Sequence, residues 1–217
     1  MKILSIKSLE IPEIKIIRFA RFKDHRGYFT EHFRASDLLD NKELSSLKNQ
    51  TFVQANHSHS KKNVIRGLHF QWNPFMGKLV RTLKGHMVDI VVDIRKESPT
   101  YGKVIAYDMP ADEEREYDEW IWVPPGFAHG NYFKEDSAIE YFCTGEYNGS
   151  CEAGLSPYSD DLDWSLCDEN LRKEFNNLKE KFIISEKDEK AMSFKEWDED
   201  KRSDNFKYPD LKNKELC

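Results

Sequence analysis

Through the first three quarters of the chain, apolar and polar positions alternate in short runs, the spacing of strands rather than of helices. Residues 81–95 read Arg-Thr-Leu-Lys-Gly-His-Met-Val-Asp-Ile-Val-Val-Asp-Ile-Arg, two β-rich runs around Lys84-Gly85, and the pattern predicts a hairpin. Trp120-Ile-Trp-Val123 is a strand stopped by Pro124-Pro125-Gly126, residues that cannot continue a ladder. Residues 130–147 accommodate two more strands around Lys134-Glu135-Asp136. One short helix is expected near residues 35–39, with Ser36 as its cap. Many short strands with regular turn signals give a mainly β fold, a barrel or sandwich.

The last 50 residues differ. From Asp168 to Cys217 there are 14 acidic and 12 basic positions. Leu171, Leu178 and Phe182, with Phe175 between them, have helical spacing. Beyond Asp188 the charge density predicts a peripheral extension, either mobile or docked through Phe194, Trp197, Phe206 and Tyr208. The expected organisation is one domain over residues 1–188 and a charged extension over 189–217.

At 217 residues and 39% hydrophobic, the chain can build one substantial core. A net charge of -6 argues against nucleic acid or an anionic membrane as the main partner, while leaving room for a local basic pocket. The first apolar runs are broken by Lys7, Glu10 and Glu13, so no secretory segment is read there. No later run reaches the roughly 18 apolar residues of a membrane span. Cys143, Cys151, Cys167 and Cys217 have no CxxC spacing and are expected to be reduced thiols in the cytoplasm.

The chemistry concentrates around His69. In Val64-Ile-Arg-Gly-Leu-His-Phe-Gln71, regular alternation sets Arg66, Leu68 and Phe70 on one face and Gly67, His69 and Gln71 on the other. Arg66, Lys78 and Asp93 add ionisable groups among apolar strand residues, an unusual density for a barrel interior without a use.

Several collinear blocks resemble the dTDP-4-dehydrorhamnose 3,5-epimerase family. They are Asp24-His-Arg-Gly-Tyr-Phe-Thr-Glu31, Phe52-Val-Gln-Ala-Asn-His-Ser58, the His69 block, Gly77-Lys-Leu-Val-Arg81, Val91-Val-Asp-Ile-Arg95 with Ser98-Pro-Thr-Tyr-Gly102, Trp122-Val-Pro-Pro-Gly-Phe-Ala-His-Gly130 and Ile184-Ser-Glu-Lys-Asp188. The resemblance implies a cupin-like antiparallel β-barrel (jelly roll), a homodimer that works without metal or other cofactor on a nucleoside-diphosphate sugar, dTDP above all. It implies His69 as base with Asp188 as its carboxylate partner, and Lys78 and Arg66 as cations near a keto oxygen. It further implies Arg26, Glu31, Gln54 and Asn56 as binders of the nucleotide part, with His129 and Asp93 lining the same pocket.

Inverting a carbon requires a proton removed from one face and another delivered to the opposite face. The family places a tyrosine opposite the histidine, and counting from Ala128-His129-Gly130 puts that position on Phe142, which has no ionisable proton. Tyr141 would then point away by strand alternation. Tyr141 through a bulge, Cys143, a water, or Tyr158 in the divergent Ser156-Pro-Tyr-Ser-Asp160 stretch are the candidate replacements. Epimerisation at C3, C5 or both of a 4-keto-6-deoxy sugar is the leading expectation. A 3,4-ketoisomerase, a non-catalytic sugar-nucleotide binder and a metal-dependent cupin oxygenase are the alternatives. The last would use His57, His59 and His129, but the glutamate such a metal set needs is replaced at Asn63 and Val64.

Overall fold

A computed structural model describes residues 2–211; Cys217 lies outside them. The strands are β1 (Ile3–Ser8), β2 (Lys15–Ala20), β3 (Phe22–Asp24), β4 (Gly27–Phe29), β5 (Gln54–Ser60), β6 (Ile65–Gln71), β7 (Lys78–Lys84), β8 (His86–Asp93), β9 (Val104–Pro110), β10 (Tyr117–Val123), β11 (Phe127–Phe133), β12 (Ser137–Cys143) and β13 (Glu152–Gly154). A six-stranded antiparallel sheet has the order β1-β2-β10-β7-β12-β5, and a five-stranded one the order β13-β6-β11-β8-β9. Strands β3 and β4 form a separate two-stranded ribbon. The architecture is the expected jelly roll.

The two large sheets share an apolar interior. Val80, Ile121 and Ile139 from the six-stranded sheet meet Met87, Val91, Ile105 and Phe133 from the five-stranded one. The outer faces are covered too. Leu38, Leu44 and Leu47 pack on Trp120 and Trp122 of one sheet, and Phe175, Trp197 and Phe206 pack on the other. With both faces covered, β11 is buried along its whole length and β8 at every residue after His86.

The chain around Gly85 departs from the predicted hairpin. Strand β7 pairs with β10 and β12, whereas β8 pairs with β11 and β9, so the chain crosses between sheets at this point. Gly85 has φ of +82°, and a Cβ there would lie 2.4 Å from Ser137 Oγ. A local turn signal marks where strands end. It carries no information on whether they pair or fold back onto opposite layers.

The short helix α1 (Ala35–Leu39) is where the sequence places it, but Arg34 occupies the cap position and Ser36 lies inside. Asp168 caps α2 (Glu169–Leu178), accepting from the backbone N–H groups of Asn170 and Leu171 at 2.9 and 3.1 Å. After α3 (Glu186–Glu189) comes α4 (Phe194–Glu199), opened by a capping box between Ser193 and Glu196. The segment over residues 189–211 packs on the barrel: Trp197 and Phe206 are fully buried against Phe70. None of the described helices is long and apolar enough to cross a membrane.

Candidate active site

Strand β6 sets the geometry of the site through one irregularity. Arg66 pairs with Asn131 and His69 with His129, so three steps on β6 face two on β11. The inward parity of β6 therefore flips between the two residues. Ile65, Leu68 and Phe70 all enter the outer core, whereas Arg66 and His69 both border the cavity. The regular alternation expected from sequence separated Arg66 from His69, and the bulge reunites them. Gly67 and Gly130 make the close approach possible: a Cβ on Gly130 would lie 2.3 Å from the Arg66 carbonyl oxygen.

Asp188 reaches His69 from 119 residues away. Ile183 bridges Val64, with the Ile65 N–H donating to the Ile183 carbonyl, and Met192 bridges Leu155. Between these two clamps Ser185 caps α3 and aims Asp188 at β6. His69 Nε2 lies 2.6 Å from Asp188 Oδ1, and the Gly67 N–H donates to Oδ2 at 3.3 Å. Burial alone would raise the Asp188 carboxyl, but His69 and the Gly67 N–H hold it below the ordinary range. An ionised carboxylate on Nε2 fixes the ring orientation and favours an imidazole with Nδ1 open as acceptor.

The opposite sheet supplies the other wall. On β12 the inward residues are Ile139, Tyr141 and Cys143. Phe142 points outward and stacks on Trp120 at 5.3 Å, beside Phe52 and Phe33. The cavity aromatic of this strand is Tyr141, and Phe142, where the count from Ala128-His129-Gly130 puts the family tyrosine, lies outside the cavity. Burial raises the Tyr141 hydroxyl, which keeps it protonated as a donor.

Lys78, paired beside Cys143 and Val123, also enters the cavity. Among the described residues no side chain accepts a hydrogen bond from its ammonium. Desolvation lowers its pKa, opposed by Cys143, Glu152 and Asp89.

The cavity has two connected parts, one of about 370 Å³ and a more open one of about 560 Å³. His69, Lys78, His129 and Tyr141 border both. Gln54 and Asn56 line the first, held to each other at 3.1 Å. Arg66 lines the second, donating to Ser60 Oγ and the His59 carbonyl. His129 sits against buried Asp89, Nε2 to Oδ2 at 2.8 Å.

Other candidates lie elsewhere. Asp93, four residues beyond Asp89 on the same strand face, is consumed at the strand end by Arg95, Ser98 and Thr100. Tyr158 lies on a surface turn under Lys179. His57 and His59 occupy the exposed face of β5, while Gln54, Asn56 and Ser58 face inward, so they cannot converge with His129 on a metal. Arg26 and Glu31 are outside the cavity of their own chain. Arg26 is 78% exposed and paired with Asp24; Glu31 pairs with Arg34.

Residues 8–196 match the family model described as dTDP-4-dehydrorhamnose 3,5-epimerase. The chain belongs to this epimerase family. It is 37% identical over 167 residues to the dTDP-4-dehydrorhamnose 3,5-epimerase of Shigella flexneri, covering 75% of this chain and 88% of the relative. Similarity to the Neisseria gonorrhoeae epimerase is 39% over 153 residues, 70% of this chain but 44% of that relative, so the chain spans less than half of its length. Among solved structures, the dTDP-6-deoxy-D-glucose-3,5-epimerase of Legionella pneumophila, in complex with dTDP-4-keto-L-rhamnose, superposes with a TM-score of 0.71. That match is 32% identical and covers 88% of this chain and 93% of the other.

Three ionisable cavity residues of this epimerase family member, and Asp89 buried behind His129, escaped the sequence reading. Glu152 on β13 lines the first part, accepting from Tyr147 Oη at 3.1 Å and Lys187 Nζ at 2.6 Å. Tyr147 stands at its rim, and Lys187 lines the second part next to Asp188. Asp89 was legible in principle as a charge inside the β-branched run Val88-Asp-Ile-Val-Val92, but the same run offers Asp93 in equivalent parity.

Proposed function

We propose that this protein epimerises a dTDP-linked 4-keto-6-deoxy sugar at C3, C5 or both, in the biosynthesis of a deoxysugar for cell-surface polysaccharide. The observation carrying this reading is the opposition across one cavity of the His69–Asp188 pair and Tyr141, borne on different sheets. His69 removes the proton α to the ketone, and Asp188 stabilises the imidazolium that forms. The enolate oxygen faces the cations Lys78 and Arg66. Tyr141 returns a proton from the far side, and the centre inverts. A ketoisomerase would require no donor opposite its base. Gln54 and Asn56 fit the polar groups of the nucleotide part. The cytoplasm suits the free thiols Cys143, Cys151 and Cys167.

The test is proton exchange. Incubated with dTDP-4-keto-6-deoxyglucose in D2O, the protein is expected to place deuterium at C3, C5 or both with inverted product, read by NMR. Absence of both exchange and inversion would sink the reading.

The same reading makes the protein a homodimer. The β3–β4 ribbon exposes Phe22, Tyr28 and Phe29 and holds Arg26 away from its own cavity, an arrangement that suits docking on a second copy. Arg26→Ala and His69→Ala should each be inactive. Mixed and re-equilibrated, they should recover roughly a quarter of wild-type activity, one competent site in each mixed dimer. A mixture as inactive as its components would show that Arg26 serves no neighbouring site.

A further inference from the structure

Asp89 is a charged residue with no exposed surface in the middle of β8, separated from the strand of the base by β11 alone. An isolated buried carboxylate is costly unless its charge is used. Oδ2 accepts from His129 Nε2 at 2.8 Å, while Oδ1 has no hydrogen-bond partner among the described residues. Asp89 is also one of the negative charges acting on Lys78, whose own ammonium is otherwise unpaired. His129 and Lys78 come from different sheets, and both border both parts of the cavity.

We infer that Asp89 is the positioning residue of the oxyanion side of the site, orienting His129 through Nε2 and supplying the countercharge for Lys78. Both groups are thereby aimed at the oxygen where negative charge develops during proton abstraction. The inference rests on the proposed epimerase chemistry and adds a division of labour: the five-stranded sheet carries two histidines, one paired with Asp188 of α3 for the proton and one with Asp89 for the oxygen. With Nε2 donating to Asp89, His129 serves the oxygen through an Nδ1–H as the imidazolium, the form that its carboxylate partner stabilises. The remaining oxygen of Asp89 contributes charge without contact. The other ionisable groups that border the cavity with Lys78 are Cys143 and Tyr141 on β12, Tyr147, Glu152 on β13, Arg66 and His69 on β6, and Lys187 and Asp188 on α3. The carboxylates among them are already paired, Glu152 with Lys187 and Asp188 with His69.

Asp89→Asn preserves shape and removes the charge. With dTDP-4-keto-6-deoxyglucose, kcat is expected to fall roughly 100-fold, with KM changed by only a few-fold, because the lost interaction acts on developing charge. The basic limb of the kcat–pH profile is expected to move to lower pH. Without Asp89 the desolvated Lys78 loses its proton more readily, and the charged form is the active one. Asp89→Glu should return that limb toward its wild-type position even if kcat stays low. A merely structural residue would lower Tm and leave the profile of the folded enzyme unmoved, and that result would overturn the inference. So would a kcat within threefold of wild type. A second arm needs no variant: histidine 15N NMR of the wild-type protein should find His129 protonated at Nε2, and an unprotonated Nε2 would also overturn it. If wild type shows no proton exchange, the epimerase reading fails on its own, and the NMR arm still decides whether Asp89 fixes His129.

Discussion

His69→Ala is expected to lower turnover about 1,000-fold, within the range a positioned acid–base group contributes, and to abolish deuterium entry at C3 and C5. The fold should survive. The imidazole is partly exposed to the cavity, at 29%, and its removal enlarges a space that is already open. The cost falls on Asp188, buried to 7% and left with the Gly67 N–H as its remaining contact on β6. A modest decrease in Tm is therefore expected, from a carboxylate that has lost its stronger partner. Thermal denaturation and the exchange assay on the same preparation separate the two effects. A folded variant that turns over within a few-fold of wild type would remove His69 from the mechanism.

Tyr141→Phe should produce a different defect. His69 can still remove a proton and return one, exchanged with solvent, to the face it came from. Deuterium entry should stay within about tenfold of wild type, while inverted product falls about 100- to 1,000-fold. The internal control is one residue along the strand. Phe142→Leu removes a ring stacked on Trp120 on the outer face, and should cost about 1–2 kcal/mol of stability without uncoupling exchange from inversion. If Tyr141→Phe inverts normally, the proton donor is another group. If Phe142→Leu uncouples the steps, the register assigned to β12 is wrong.

These two residues also show where sequence reasoning reached its limit. Family resemblance brought His69, Asp188, Lys78, Gln54 and Asn56 to one site, and the structure places all five around the cavity. Strand alternation then misdirected the finer reading. With a side-chain period of two, a one-residue difference is the opposite face: the count lands on Phe142, and the cavity holds Tyr141. The bulge in β6 did the same for Arg66, because no residue pattern announces that three positions will span two. Asp89 and Asp93 share parity, and only the distance along β8 decides which one meets His129 and which is claimed by the loop after the strand. The Lys84-Gly85 turn was legible as a turn, but strand pairing is a long-range property that local chemistry does not encode. For the charged extension, the apolar anchors Trp197 and Phe206 outweighed its charge density.

The two clamps around Asp188 have a consequence for how a working molecule comes into being. His69 and its carboxylate are separated by 119 residues, and every strand of the barrel after β6 is translated between them. At about 5–20 residues per second, synthesis of that interval takes on the order of ten seconds. Throughout it the histidine is present without its carboxylate, and a nascent chain stopped before α3 would carry the barrel strands but no dyad. Catalytic competence therefore waits until α3 has been made and the Ile183 and Met192 bridges close.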